Sequence, residues 1–342
     1  MHEIIQILYQ HPFVFTIVIF ALIFDFLNGF HDAANSIATI VVSKTLTPFQ
    51  AVVMAGLANF IGYFVFGVAV AKMIGKGVVQ IEPGATGNLE VIMATLVGAI
   101  LWNIATWLLG LPTSSSHALI GGLIGASIVH AGPSVVHWAG VAKIFSFIFI
   151  APMLGLLGAS AITTMTIRLF RRAHPAKSRP VFKGLQLVTG VFSSIGHGTN
   201  DAQKTMGIIA LALYTSGIQS SFEIPKWVIL AAYCAISLGT VFGGWRIVKT
   251  MGTNITKIRE MEGFCSGTAA AAVLLGTAHF GIPVSTTHVI TGSIMGVGAV
   301  QHAASVKWVS ARKIVWAWLI TIPITATVAA FTYWVITSLM GL

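Results

Sequence analysis

Apolar stretches that follow one another almost from end to end most constrain what this chain can fold into. Several reach the roughly 20 residues that a membrane-spanning helix needs, and they lie at 13–27, 49–71, 145–167, 227–242 and 314–339. Only 8% of the 342 residues are charged, against about 25% in soluble domains. The sequence therefore predicts an all-α, multi-pass integral membrane protein, with membrane lipid around it.

The positive charge of the chain, +10 at pH 7, does not indicate a nucleic-acid partner. Basic residues in the loops of a membrane protein follow the excess of Lys and Arg on the cytoplasmic side. The densest basic run, about 168–183, holds six Lys or Arg and no acid. We expect this run to be a cytoplasmic linker, and an odd number of crossings before it puts the N-terminus outside.

Three aspartates stand within or beside apolar stretches, namely Asp25, Asp32 and Asp201. A charge at the centre of a bilayer costs about 3 kcal/mol on insertion scales, so such residues are candidates for a function. The alternative is a structural role as the partner of a polar group on a neighbouring helix. For Asp25 both readings stay open, whereas Asp32 and Asp201 are favoured as functional by their surroundings.

Two motifs recur along the chain in the same order. The frame Gly-x-x-Asp-Ala around Asp32 returns around Asp201, 169 positions later, and the segment 111–125 returns as 282–296 after 171 positions. A third echo joins 138–143 to 308–313. Duplicated halves are typical of secondary transporters, whose sites lie where the repeats meet. The sequence thus predicts repeats at 1–170 and 171–342 within one membrane domain, and the loop charges make them inverted.

Each repeat is predicted to contain a broken helix and a re-entrant hairpin. The aspartate motifs would lie at the breaks, and the hairpins would cover 91–129 and 264–300 with Pro112 and Pro283 at their tips. Proline disfavours helix at the residue before it and suits the start of a helix. Non-helical tips inside a membrane are tolerated where they line a cavity or are buried by protein.

Donor groups dominate the polar residues that this geometry would collect. The broken helices supply Asn28, His31, Asp32, Asn35, His197, Asn200, Asp201, Gln203 and Lys204, and the tips supply Thr113, Ser114, Ser115, Ser116, Ser285, Thr286 and Thr287. Hydroxyls, amides and the N–H groups at helix starts suit a tetrahedral oxyanion. One serine or threonine of each tip is also expected to cap its helix.

The two aspartates restrict which oxyanion fits. An ionised carboxylate only accepts hydrogen bonds, so phosphate, which keeps a P–OH at neutral pH, suits the site better than sulfate. Asp32 and Asp201 can also hold Na⁺ or a divalent cation, or carry a proton, which would couple anion entry to a cation gradient. The alternatives are a carrier of sulfate or another oxyanion, a cation transporter, and an intramembrane hydrolase using Ser114–Ser116 with His117. Adjacent residues at a helix start rarely meet the geometry of a nucleophile and its base.

The motifs together resemble the PiT family of inorganic phosphate transporters. Both aspartate motifs, Asn28–Asn35 and His197–Lys204, and both hairpin motifs are similar to that family's, over essentially the whole chain. The resemblance implies a bacterial low-affinity phosphate permease of the inner membrane, not an enzyme, without a cofactor and often a homodimer.

By the same resemblance, the phosphate contacts would fall on eight residues: Asp32, Asn35, Ser114, Ser115, Asn200, Asp201, Ser285 and Thr286. Further contacts to phosphate or the coupling ion are expected from Asn28, His31, Thr113, Ser116, His197, Lys204 and Thr287. Many members carry Asn where this chain has His31. That departure leaves open whether the coupling cation is H⁺, with phosphate or metal-phosphate as the substrate, or Na⁺.

Overall fold

The computed structural model describes residues 9–65, 67–80 and 84–341. This part of the chain is almost entirely helical, with one isolated β-bridge between Val79 and Val136. The helices, numbered here in chain order, are α1 (Pro12–Val42), α2 (Pro48–Val65), α3 (Ala69–Gly77), α4 (Asn88–Leu109), α5 (Ser115–Ala131), α6 (Trp138–Phe170), α7 (Pro175–Thr215), α8 (Lys226–Phe242), α9 (Trp245–Thr253), α10 (Glu260–His279), α11 (Thr286–Gln301) and α12 (Trp308–Met340).

Five of the described helices are long and apolar enough to cross a bilayer, and α8 with α9 forms a sixth candidate that bends by 70°. The five are α1, α2, α4, α6 and α12. The 41-residue helix α7 is not among them because its basic first turns and its polar centre lower its hydropathy. The multi-pass membrane architecture expected from the sequence is therefore confirmed.

The order of elements repeats in the two halves of the described chain. Each half has a long helix, a medium helix, a nine-residue helix, a helical hairpin, a short 3₁₀ turn and a 33-residue helix with an internal proline. The backbone repeats too, since His137 N donates to Val78 O at 2.9 Å and Lys307 N donates to Ile255 O at 2.8 Å. The duplication read from the motifs is thus visible in the fold, while the inverted orientation stays a prediction.

Glycines join each hairpin to the long last helix of the other half. A Cβ at Gly125 on α5 would lie 2.0 Å from Ala326 O on α12, and a Cβ at Gly292 on α11 would lie 2.1 Å from Pro152 O on α6. No side chain fits at such distances, so the helices touch along their backbones. This reciprocal packing is what a twofold relation between the halves would produce.

The prediction of broken helices at the two aspartate motifs is wrong, because α1 and α7 run unbroken through them. The motif glycines serve close packing instead. A Cβ at Gly29 would lie 2.1 Å from Ile236 O on α8, and a Cβ at Gly198 would lie 2.6 Å from Asn59 O on α2. Asp32 and Asp201 each accept a hydrogen bond from another helix without a break in α1 or α7.

Two further boundaries follow from the helix ends. The basic run at 168–183 is mostly helical, since α6 ends at Phe170 and α7 begins at Pro175. The non-helical part of this run is therefore confined to 171–174, and its role as a cytoplasmic linker stays a prediction. Both hairpins form as helix–turn–helix units, and Gly110 and Gly281 end their first helices with φ near +65°, a conformation that glycine adopts freely.

Candidate functional site

Asp32 is held by the hairpin tip of the other half. Thr286 Oγ1 and Thr287 Oγ1 lie 3.2 and 3.3 Å from Asp32 Oδ2 and donate to it. Asn35, one turn further along α1, donates from Nδ2 to the same two threonine oxygens at 3.1 and 3.0 Å. All four side chains are buried, so this chain of donors and acceptors joins α1 to the start of α11 in the protein interior.

His31 connects Asp32 to the first hairpin. Its Nδ1 lies 2.7 Å from Asp32 Oδ1 and its Nε2 lies 3.2 Å from Thr106 Oγ1. The Thr106 hydroxyl donates to Trp102 O at 2.9 Å and accepts from Thr113 Oγ1 at 3.0 Å. The His31 ring therefore links the Asp32 carboxylate to the hydroxyls of the first hairpin.

Asp201 on α7 has its own cation. Lys204 Nζ lies 2.5 Å from Asp201 Oδ1, and both side chains are 0% exposed. Oδ2 accepts from Asn28 Nδ2 at 3.3 Å, and His197 Nε2 lies 3.4 Å from it. The repeat places Lys204 in the second motif where Asn35 stands in the first, which makes the two halves of the site chemically unlike.

The two aspartate groups lie side by side. Oxygens of Asp32 and Asp201 and a ring nitrogen of His197 all lie within 4.8 Å of one another. A small cation with oxygen and nitrogen ligands fits such a cluster. The ammonium of Lys204 already lies against Asp201, so a mobile cation at the candidate site of Asp32 and Asp201 would compete with a fixed one.

The hydroxyls of the hairpin tips have two structural roles. Some cap the helix that follows, and one bonds the tip of the opposite hairpin. Ser114 Oγ accepts from His117 N at 3.2 Å, and Ser285 Oγ accepts from His288 N at 3.3 Å. These two residues are the helix caps expected within each tip. Ser116 donates to Val284 O of the opposite tip at 3.4 Å, and Ser115 is buried beside it. The two tips therefore meet each other as well as the long helices.

Asn200, whose contact to phosphate stays a prediction, bonds a neighbouring helix in this structure. Its Nδ2 donates to Gly196 O and to Leu274 O, each at 2.9 Å, because its position on α7 faces α10. The amide thus ties two helices together rather than pointing with Asp201 towards the Asp32 group. His117 and His288 also turn to each other, with ring centroids 4.8 Å apart.

Three residues outside the predicted set belong to this polar interior. Thr106 joins His31 to Thr113, Gln186 accepts from Ser43 and Thr45 at 3.0 and 2.6 Å, and Asp25 is fully buried on α1. Neither Thr106 nor Gln186 stands in a motif, so only the packing of helices reveals them. Asp25 was visible in the sequence as a carboxyl within an apolar stretch.

Comparisons with known proteins agree with this geometry. A sequence model described as "Phosphate transporter family" matches residues 28–329. A probable low-affinity inorganic phosphate transporter of Rhizobium meliloti (strain 1021) is 48% identical, over 94% of this chain and 96% of that protein. One with the same description from Bacillus subtilis (strain 168) is 43% identical over the same shares. A solved structure, "The sodium-dependent phosphate transporter", superposes with a TM-score of 0.87 at 26% identity, covering 95% of this chain and 99% of that one.

Proposed function

This chain belongs to the phosphate transporter family, that is, the PiT family of phosphate transporters and not a family of enzymes, and we propose that it imports inorganic phosphate by symport with a cation. The observation that carries the proposal is the bond between Asp32 on α1 and Thr286 on the opposite hairpin. It joins the two halves at a site rich in donors and buried in protein, which is where secondary transporters bind their substrates.

The hydrogen bonds within the site can be exchanged for bonds to an anion. Thr286, Thr287 and Asn35 now satisfy one another and Asp32. A phosphate entering among them would accept from the hydroxyls and the amide, while its P–OH donates to a carboxylate. Sulfate has no such proton at neutral pH, so an acceptor-only carboxylate would repel it.

A polar route from the site towards the basic end of the molecule supports alternating access. A narrow cavity of about 10 Å³, lined by Asn35, Thr39, Gln186 and Ser266 among others, leads away from the site. That volume holds about one water. Gln186 then contacts Ser43, which lines an open cavity of about 600 Å³ together with Lys44 and Arg179.

The orientation of the chain in the membrane follows from the charges along that route. Basic residues gather on the cytoplasmic side of membrane proteins, so the end with Lys44 and Arg179 would face the cytoplasm of the inner membrane and release phosphate there. Gln186 would narrow the route, because it lines the small cavity and bonds Ser43 at the edge of the large one. In this orientation the N-terminus would lie on the outer side of the membrane. The homodimer implied by the family resemblance stays a prediction.

Uptake of radiolabelled phosphate into proteoliposomes tests the proposal. We expect inward H⁺ or Na⁺ gradients to drive uptake, and a large excess of unlabelled sulfate to leave it unchanged. Liposomes without protein and liposomes with the Asp32→Asn protein serve as controls. Full competition by sulfate, or no uptake under either gradient, would contradict the substrate assignment.

A further inference from the structure

Asp25 is a buried acid on α1 that has no ion-pair partner in direct contact among the residues that the structure describes. It lies two turns before Asp32 on α1 and is 0% exposed. Within the same residues, neither of its carboxylate oxygens makes a hydrogen bond of standard geometry, although the Thr205 hydroxyl interacts with the carboxyl. Asp32 has His31 and Asp201 has Lys204, so the three buried aspartates differ sharply in their compensation.

The groups facing Asp25 come from two packed helices. Thr205 on α7 lies beside the carboxyl, and the charges of Asp201 and Lys204 on the same helix act on it. Tyr233 on α8 faces it too, and the Tyr233 hydroxyl is unpartnered within the described chain. An isolated buried carboxylate is costly, so the neutral, protonated acid suits this arrangement.

The two other aspartates already have close partners. The Lys204 ammonium lies against Asp201 and the His31 ring lies against Asp32. A mobile Na⁺ would have to displace one of these covalently tethered groups from its carboxylate. A proton on Asp25 meets no such competitor, and the carboxyl lies close enough to Lys204 for the two to interact electrostatically.

We propose that Asp25 is the binding site of the coupling proton and that Lys204 links this proton to the phosphate, an inference that rests on the proposed transport function. When Asp25 is ionised, the Lys204 charge is shared between two carboxylates and the site repels an anion. When Asp25 takes up a proton from the outer side, one negative charge disappears and the anion is attracted. The same proton leaves Asp25 on the inner side after phosphate release, so charge and protons balance.

The Asp25→Asn protein, which mimics the protonated acid permanently, separates coupling from transport. Two assays are compared in proteoliposomes, with the membrane potential clamped by valinomycin and equal K⁺ on both sides. The first is phosphate accumulation under an inward proton gradient, and the second is exchange of labelled for unlabelled phosphate at equal pH. We expect wild-type accumulation to grow up to about tenfold for each pH unit, since one proton carries about 1.4 kcal/mol per unit.

The Asp25→Asn protein should lose the dependence of phosphate accumulation on the proton gradient, and it should keep the exchange of labelled for unlabelled phosphate. Phosphate itself changes protonation near neutral pH, but the wild-type and variant proteins meet the same substrate mixture, so their difference isolates Asp25. Asp25→Glu keeps a titrating group and should keep accumulation, and Glu223→Gln removes an exposed carboxyl and should change nothing.

Three outcomes would overturn the assignment of the proton to Asp25. One is an Asp25→Asn protein that still accumulates phosphate with the wild-type dependence on the gradient, which would move the proton site to His31 or His197. Another is a monodisperse Asp25→Asn protein without exchange. The third is wild-type uptake that responds to Na⁺ alone, a result that would leave the proposed phosphate transport intact. No phosphate uptake by the wild-type protein would instead contradict the transport function itself.

Discussion

Thr286 Oγ1 lies 3.2 Å from Asp32 Oδ2 although 254 positions separate the two residues in the sequence. The bond ties the long first helix of one half to the hairpin of the other. Both side chains are buried, so the contact is made where water does not compete. It defines the point at which the two halves share one polar site.

Asp32→Asn should abolish phosphate uptake, and Asp201→Asn should do the same. The change leaves the shape of the side chain but removes the charge of the carboxylate that contacts His31 or Lys204. Uptake into proteoliposomes measures the effect, and immunoblots of membranes check that the protein is inserted. Normal uptake in both variants would contradict the assignment of the site.

Removing the hydroxyl of Thr286 should weaken phosphate binding. A hydrogen bond to a charged group contributes about 1.5–3 kcal/mol, which corresponds to a rise in KM of roughly ten- to a hundredfold. Thr286→Val tests this expectation in uptake assays. Thr286→Ser keeps the hydroxyl and is the matched control, so an equal rise in KM for both variants would point to packing instead.

Lys204→Met should destabilise the protein because it leaves Asp201 buried and unpaired. Losing one partner of a buried ion pair costs about 3–5 kcal/mol. Thermal unfolding in detergent measures the loss, and the double change Lys204→Met with Asp201→Asn should recover much of it. A double variant no more stable than Lys204→Met would show that the pair does not act as a unit.

Much of this architecture could be predicted from the sequence. The repeated order of the motifs indicates the duplication, and the hydropathy of the apolar stretches indicates the membrane spans. The pairing of Asp32 with Thr286 follows from neither, since it depends on how α1 packs against a hairpin from the other half. The sequence motif around Asp32 also could not predict that the helix continues unbroken through Gly29. A glycine beside charged residues predicts a break as readily as it predicts a close contact, and only the position of Ile236 O decides.

Gly125→Val and Gly292→Val should each prevent stable folding, because a Cβ at either position would overlap a carbonyl oxygen at 2.0 or 2.1 Å. Size-exclusion chromatography in detergent detects the loss as aggregation. Gly184→Ala is the control, since a Cβ there meets nothing within 4 Å. Monodisperse Gly125→Val and Gly292→Val proteins would contradict the backbone contact.

A cysteine placed at Lys177 should be protected from a membrane-impermeant maleimide added to intact cells. Lys177 is exposed at the start of α7, within the basic run expected in the cytoplasm. The exposed Cys234 is first replaced by Ala, and labelling after lysis shows that the new thiol is reactive. Labelling in intact cells would show that the orientation of the chain in the membrane is opposite to the predicted one.

The separation of Asp32 from Thr286 along the chain also sets a problem for biosynthesis. A ribosome adds about 5–20 residues each second, so the 254 positions between them correspond to roughly ten to fifty seconds of translation. During that interval α1 has left the ribosome while the threonines that hold its carboxylate do not yet exist. Until the last quarter of the protein is made, the Asp32 carboxylate therefore lacks those two hydroxyl donors, while the His31 ring beside it is already present.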